Sequence, residues 1–382
     1  MFSSHSHSGQ FCMHAKGTLE EVVQSAIQRL FSTYGLSEHM PRYKPEQLYP
    51  EESHLTTMDL ERMYDQFLQE AARLQQKYSG QICLLIGLET EYFGLESIQY
   101  VRQLRRPHRQ SIWRAATTTT AAAAIEETSL PSPSSSSSLS SLSSLSSTTT
   151  APLVTLPQVQ YIVGSLHHVH GVPLDFSQEF YLKALETVGN GSWETLFREY
   201  FNAQYEMLQG LEPEVVGHLD LVRIFFGAIP GCHHHHHQGH DQEEKENHQH
   251  QNRLTEELWG LVKRNVDFVI TYGGLFELNS RAWKKGLANA YPQRDILEYI
   301  LSKGGRVTLS DDSHGPEDVG MFYNPELKGY LEEMKIEKVY YLSPNNHDDS
   351  RPYPTRASMA TGSFQHVHIR SIPLASLKFY QK

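Results

Sequence analysis

Cysteine is scarce in this chain. Cys12, Cys83 and Cys232 form no CxxC pair and no even set, which excludes a disulfide framework and suits a reducing cytosol. No apolar run approaches the ~20 residues of a membrane span, and the polar N-terminus has no apolar h-region. Positive charge is not in surplus either. Thirty-three Lys and Arg face 44 Asp and Glu, a formal net charge of −11, so no basic stripe advertises a nucleic-acid partner. The expectation is a soluble, cytoplasmic protein with neither a membrane nor a nucleic acid as partner.

What the chain does have is length and histidine. Its 382 residues, 39% of them hydrophobic, can bury a large core. They allow two ordinary domains or one α/β barrel of roughly 250 residues carrying insertions. Of 22 histidines, eight lie in one tract, at 233–237, 240, 248 and 250. Two segments have the composition of disordered insertions: a Ser/Thr/Ala-rich stretch at 115–157 and a His-rich stretch at 228–251. Unordered histidines supply no fixed ligand geometry, so the tract reads as a loop expansion, with metal sequestration as the rival reading. Similar patterning resumes after each segment, so neither marks a boundary between domains.

The remainder alternates apolar runs with amphipathic helices. The spacing predicts a helix over 18–34, opened by the T-x-x-E capping box of Thr18 and Glu21. Further helices are predicted at 60–78, 193–208, 256–271 and 295–303. Short apolar runs at 82–88, 161–166, 215–217, 275–278 and 306–309 read as buried parallel strands. This βαβα rhythm implies a parallel barrel or a doubly wound sheet.

A histidine or a carboxylate follows each of several runs. The chain starts His5-Ser6-His7, with His14 close behind, and Glu38-His39 follows the first helix. Glu89 ends 82–88, His167-His168-Val169-His170 ends 161–166, His218 follows 215–217, and Asp311-Asp312-Ser313-His314 follows 306–309. In an α/β barrel the C-terminal strand ends converge on one mouth. Imidazoles and carboxylates gathered there are ligands for Zn, Mn or Fe. Residues i and i+2 of a strand share a side, so His5/His7 and Asp312/His314 can each present both groups to one cavity.

On these residues, and on the runs SEHMPR (37–42), GSLHHVHG (164–171), GHLDLVRIF (217–225), FELNSRAWKKGLANAYP (276–292) and TLSDDSHGPEDVG (308–320), the chain resembles the polymerase-and-histidinol-phosphatase (PHP) family. Within it, the likeness is to the histidinol-phosphatase branch. The resemblance implies one catalytic domain over 1–382, folded as a distorted seven-stranded (β/α)7 TIM-like barrel with three divalent metal ions. It assigns a first metal to His5, His7, Glu89 and Asp312. Glu89 bridges to a second held by His167 and His218, and a third sits between His14, His39 and His314. Glu91 is the rival to Glu89, and His168 the alternative to His167, with His170 further off. The implied reaction is hydrolysis of L-histidinol phosphate to L-histidinol and phosphate in histidine biosynthesis, with Asp312 taking the proton of the attacking water. Arg223 and Lys284 stand where phosphate-binding cations are expected, with Arg42 and Arg281 next. Lys284 departs from the arginine more usual there. The rival readings are a phosphoesterase acting on another ester or on nucleic-acid ends, and a non-enzymatic metal-storage protein built on the histidine tract.

Overall fold

The computed structural model describes residues 1–111, 155–229, 254–344 and 367–377. The greater part of both insertions therefore lies outside the described residues. Only their edges fall inside: Thr155 bridges Gln110, and Leu156 and Ile229 are buried.

The first helix, α1 (Leu19–Gln28), begins as its capping box dictates. The Thr18 side chain accepts from the Glu21 N–H, and the Glu21 carboxylate accepts from the Thr18 N–H. It ends earlier than the periodicity predicts. Leu30 turns into the left-handed region at φ 58°, and Thr33–Leu36 forms strand β2. Thr33 and Tyr34 are strand-forming types, and pairing with a strand on either side outweighs the helical spacing of the apolar residues. The other predicted helices form at Thr57–Lys77, Trp193–Leu211, Glu256–Tyr272 and Arg294–Ser302.

Among the described residues, nine strands form one sheet. In spatial order they are β1 (Phe2–Ser3), β2, β3 (Cys83–Glu89), β4 (Tyr161–Gly164), β7 (Val215–Val216), β8 (Leu275–Asn279), β9 (Arg306–Ser310), β10 (Lys338–Ser343) and β11 (His368–Pro373). The short hairpin β5–β6 (His168–Val169 and Val172–Pro173) stands apart. Every pairing from β1 to β10 is parallel, and only β11 runs antiparallel. The expected seven strands are β1 to β4 and β7 to β9, so β10 and β11 are additions at the edge. The sheet curls until a parallel bridge, Ser6 to Ser313, brings the segment after β1 against the end of β9. The His7 N–H donates to Ser313 O there at 2.7 Å.

Strand alternation divides the apolar residues between two cores. Leu84, Ile86 and Leu88 of β3, with Ile162, Val216, Phe276, Leu278, Val307 and Leu309, pack outward with the helices. Leu85, Tyr161, Val163, Val215 and Leu275 point the other way and form a separate cluster with Leu342 and Val367, the base of the bore. Tyr161 is its largest member, and its hydroxyl donates to Ser4 O at 2.7 Å. A Cβ at Gly35 would lie 2.1 Å from that hydroxyl, and one at Gly87 would lie 2.4 Å from the ring. Glycine at both positions lets the tyrosine fill the bore. Among the described residues no helix is long and apolar enough to cross a membrane.

Candidate metal centre

Continuing the inward columns by steps of two leads from this base to a polar mouth. Leu85 is followed by Gly87 and Glu89, Val163 by Ser165 and His167, and Leu275 by Glu277 and Asn279. Glu89, fully buried, is the centre of the mouth. Its Oε1 lies 3.0 Å from His5 Nε2 and 3.1 Å from both His167 Nε2 and His218 Nε2. Its Oε2 lies 3.2 Å from His7 Nε2 and 2.9 Å from His39 Nδ1. Asp312 Oδ1 is 3.6 Å from His5 Nε2 and from His7 Nε2. The backbone that delivers Asp312 is left-handed, φ 44°, a conformation Asp tolerates at a modest cost.

Four of the histidines are backed by carboxylates. His5 Nδ1 is 2.7 Å from Glu277 Oε1, His14 Nδ1 2.7 Å from Glu51 Oε1, and His167 Nδ1 3.2 Å from Asp175 Oδ2. His7 Nδ1 faces Glu38 Oε2 at 3.4 Å. A carboxylate on the far nitrogen fixes the ring and raises the basicity of the nitrogen facing the cavity, as is usual around metal-ligating histidines. Glu277 also accepts the His218 N–H at 2.7 Å. Glu277, Glu51 and Asp175 are not among the site residues expected from the sequence. Only Glu277 carried a signal, being a carboxylate inside an apolar strand run.

The electrostatics are those of donors gathered for a cation. Burial opposes ionisation of Glu89, yet His5, His167 and His39 hold its carboxyl well below the usual range. Burial likewise opposes Asp312, but His5, Arg281 and His7 hold it at about 2. Burial, then Arg281 and His7, push His314 well below an ordinary histidine, which leaves it neutral with a lone pair to give. Despite their proximity, His5 Nε2, both ring nitrogens of His7 and of His39, Glu89 Oε2 and Asp312 Oδ1 are buried without a directed hydrogen bond. Orphaned atoms of this kind are costly unless something else satisfies them. Groups whose donor atoms lie mutually within 4.8 Å include His5/His7/Asp312, His7/His39/His314, Cys12/His14/His39, His7/Cys12/Glu38 and His39/Glu91/His167. The residues present therefore fit divalent metal ions.

The open pairs of alternatives separate by position. Glu91 is buried beside the ring, meeting His39 Nδ1 (2.8 Å) and His168 Nδ1 (3.4 Å) and grouping with His39 and His167, whereas Glu89 stands within 3.2 Å of five histidines. His168 packs between Tyr49 and Phe93. His170 is 64% exposed and pairs with Glu199.

Over the mouth opens a cavity of about 380 Å³. Glu89, His167, His218, Asp312 and His314 lie on its walls, joined by Tyr49, Glu51, Asp175 and Phe176. The cations on its wall are Arg281 and Lys285, and neither Arg223 nor Lys284 lines it. Arg223 is held away by a two-pronged pairing with Asp295, 2.9 Å at each prong. Lys284 pairs with Asp318, and Arg42 with Glu52. Arg281 donates to Asp312 O at 3.1 Å, which sets its guanidinium beside the carboxylates of the mouth.

Comparison with known proteins agrees with this geometry. The PHP domain family profile matches residues 3–281. A Schizosaccharomyces pombe protein named as a probable histidinol-phosphatase is 38% identical over 337 residues, covering 88% of either chain. The histidinol-phosphatase of Saccharomyces cerevisiae is 27% identical over 365 residues, covering 91% of this chain and 94% of the yeast protein. In fold, the chain is similar to a crystal structure from Listeria monocytogenes assigned as a histidinol phosphatase. That likeness has a TM-score of 0.58 at 19% identity, over 85% of this chain and 98% of the other.

Proposed function

The chain belongs to the PHP domain family, and from that premise we propose that it is a metal-dependent phosphomonoesterase that hydrolyses L-histidinol phosphate to L-histidinol and phosphate in histidine biosynthesis. The fungal relatives carry that activity in their names across nearly the whole chain. The observation that carries the chemistry is that Glu89, on the wall of the cavity, lies within 3.2 Å of five histidines.

His5, His7, Glu89 and Asp312 would hold one ion. Glu89 with His167 and His218 would hold a second, and His14, His39 and His314 a third. Nitrogen and carboxylate donors suit Zn, Mn or Fe. When bound, such ions bring the pKa of water toward neutrality and offset charge on phosphoryl oxygens. Asp312, ionised at neutral pH and with Oδ1 lacking a directed hydrogen bond, would take the proton of the attacking water. Arg281 and Lys285 supply positive charge on the cavity wall for a phosphate dianion. Arg223 and Lys284 could contribute only by leaving Asp295 and Asp318. The rest of the wall suits the alcohol half of the substrate. Glu51 and Asp175 can face an ammonium or imidazolium, and Phe176, stacked on Tyr49 at 6.1 Å, offers an aromatic surface.

Phosphate release from L-histidinol phosphate tests this reading. Release should stop after chelation and return with Mn or Zn, and a simple alkyl phosphate should be a far poorer substrate. Equal rates on both esters, or release untouched by chelation, would contradict it.

A further inference from the structure

Cys12 is the one thiol among the described residues that reaches the metal centre, and the resemblance assigns it nothing. It lies between the two loop positions that deliver His7 and His14, with its side chain buried. Its Sγ is 3.2 Å from His14 Nε2. Sulfur, His14 and His39 present their donor atoms within 4.8 Å of one another, and so, separately, do sulfur, His7 and Glu38. The neighbours are themselves unsatisfied: both ring nitrogens of His7 and of His39, and Glu38 Oε2, are buried without a hydrogen-bond partner. The His7 side chain is fully buried and that of His39 is 7% exposed. A buried cysteine in an apolar pocket would be inert packing. This one faces His14, and beside it His7 and His39, whose ring nitrogens lack a directed hydrogen bond.

We propose that Cys12 is a thiolate ligand of the ion held by His14 and His39, making that position a mixed sulfur–nitrogen site within an otherwise nitrogen–oxygen centre. The spacing suits it. Tetrahedral zinc with bonds of about 2.3 Å to sulfur and 2.0–2.1 Å to nitrogen separates those donors by about 3.5 Å, close to the observed 3.2 Å between Cys12 Sγ and His14 Nε2. Soft thiolate favours Zn over Mn, so this position would select zinc even if the Glu89 positions accept harder ions. The inference rests on the metal-centre reading and adds one donor to it.

The test uses the full chain with Cys83 and Cys232 replaced by serine, so that Cys12 is the only thiol. Loaded with Co(II), this protein should show d–d bands together with a near-ultraviolet sulfur-to-cobalt charge-transfer band, and the thiol should stop reacting with a disulfide reagent. Adding C12S should remove the charge-transfer band, keep d–d bands from the remaining ions, and weaken retention of one zinc by about 100-fold, the upper end of what even an indirect partner of a metal costs. Cobalt d–d bands without a charge-transfer band, with the thiol still reactive, would overturn the role of Cys12 and leave the metal centre standing. No cobalt bands at all would overturn both. The unsubstituted Cys12 spectrum decides the matter even if C12S folds poorly.

Discussion

At the base of the bore, Leu85, Tyr161, Val163, Val215 and Leu275 pack against one another. A few residues further along the same strands, Glu89, His167, Glu277 and Asp312 meet across the mouth. The backbone pairing is continuous between the two, so the difference lies in side-chain chemistry alone. The base gains stability from burying apolar surface. The mouth buries carboxylates and imidazoles at a cost that their mutual pairing only partly offsets, and it leaves ring nitrogens without partners. Stability is therefore concentrated at one end and a demand for cations at the other. Substitutions at the two ends should fail in different ways.

The largest effect is expected for Glu89→Gln. It keeps the shape and removes the charge that five imidazoles face, so kcat/KM on L-histidinol phosphate should fall by about 3 kcal/mol or more, over two orders of magnitude. The thermal stability of the metal-free protein should change far less. A variant that unfolded instead would erase the distinction between the ends.

Tyr161→Ala is the counterpart at the base. Emptying a fully buried aromatic site between Gly35 and Gly87 should destabilise the fold by about 3–5 kcal/mol. The fraction that stays folded should still bind metal. Loss of metal without loss of stability, read by denaturant titration and metal analysis, would show that the base shapes the site directly.

Glu277→Gln probes the join between the regions, since Glu277 stands at the rim and orients His5. Metal affinity should drop by about 10–100-fold with smaller changes in stability. Unchanged affinity in a competition titration would make Glu277 a packing residue.

The smallest effect is a pH dependence. In the metal-free protein burial disfavours charge on His5, His39 and His167, but the carboxylates around them outweigh it. These histidines keep their protons well above the ordinary value of about 6.5. An incoming cation must displace those protons, so affinity should keep rising with pH beyond about 6.5 rather than level off there. The sign for the metal-free fold is opposite. A histidine whose pKa is raised on folding contributes stability below about 6.5 that is lost as pH climbs through the raised value. Calorimetry in buffers of different ionisation enthalpy should detect proton release on loading, and no release at neutral pH would contradict the account.

Much of this division was legible in the sequence, because it rests on local patterns. Apolar runs ending in His or a carboxylate marked the strands and their functional ends, and the capping box at Thr18 marked a helix start. Less legible was whatever depends on distant partners. Arg223 follows His218 in a suggestive run, but its pairing with Asp295, 72 residues away, turns it from the cavity. Lys284 is drawn to Asp318 in the same way. Glu51 and Asp175 sit in segments with no periodicity to betray that they stand behind His14 and His167. Strand β2 was hidden because its apolar residues continue the helical spacing of α1, and only pairing within the sheet reveals it.

The central claim is that Glu89 joins the mouth of the bore into one multi-ion centre, and counting metal ions per chain in the wild type and in Glu89→Gln tests it most directly. Elemental analysis of the two proteins, purified side by side and loaded with the same metal, should find more than one divalent ion per wild-type chain and at least one fewer in Glu89→Gln. Equal metal content in the two would contradict the account.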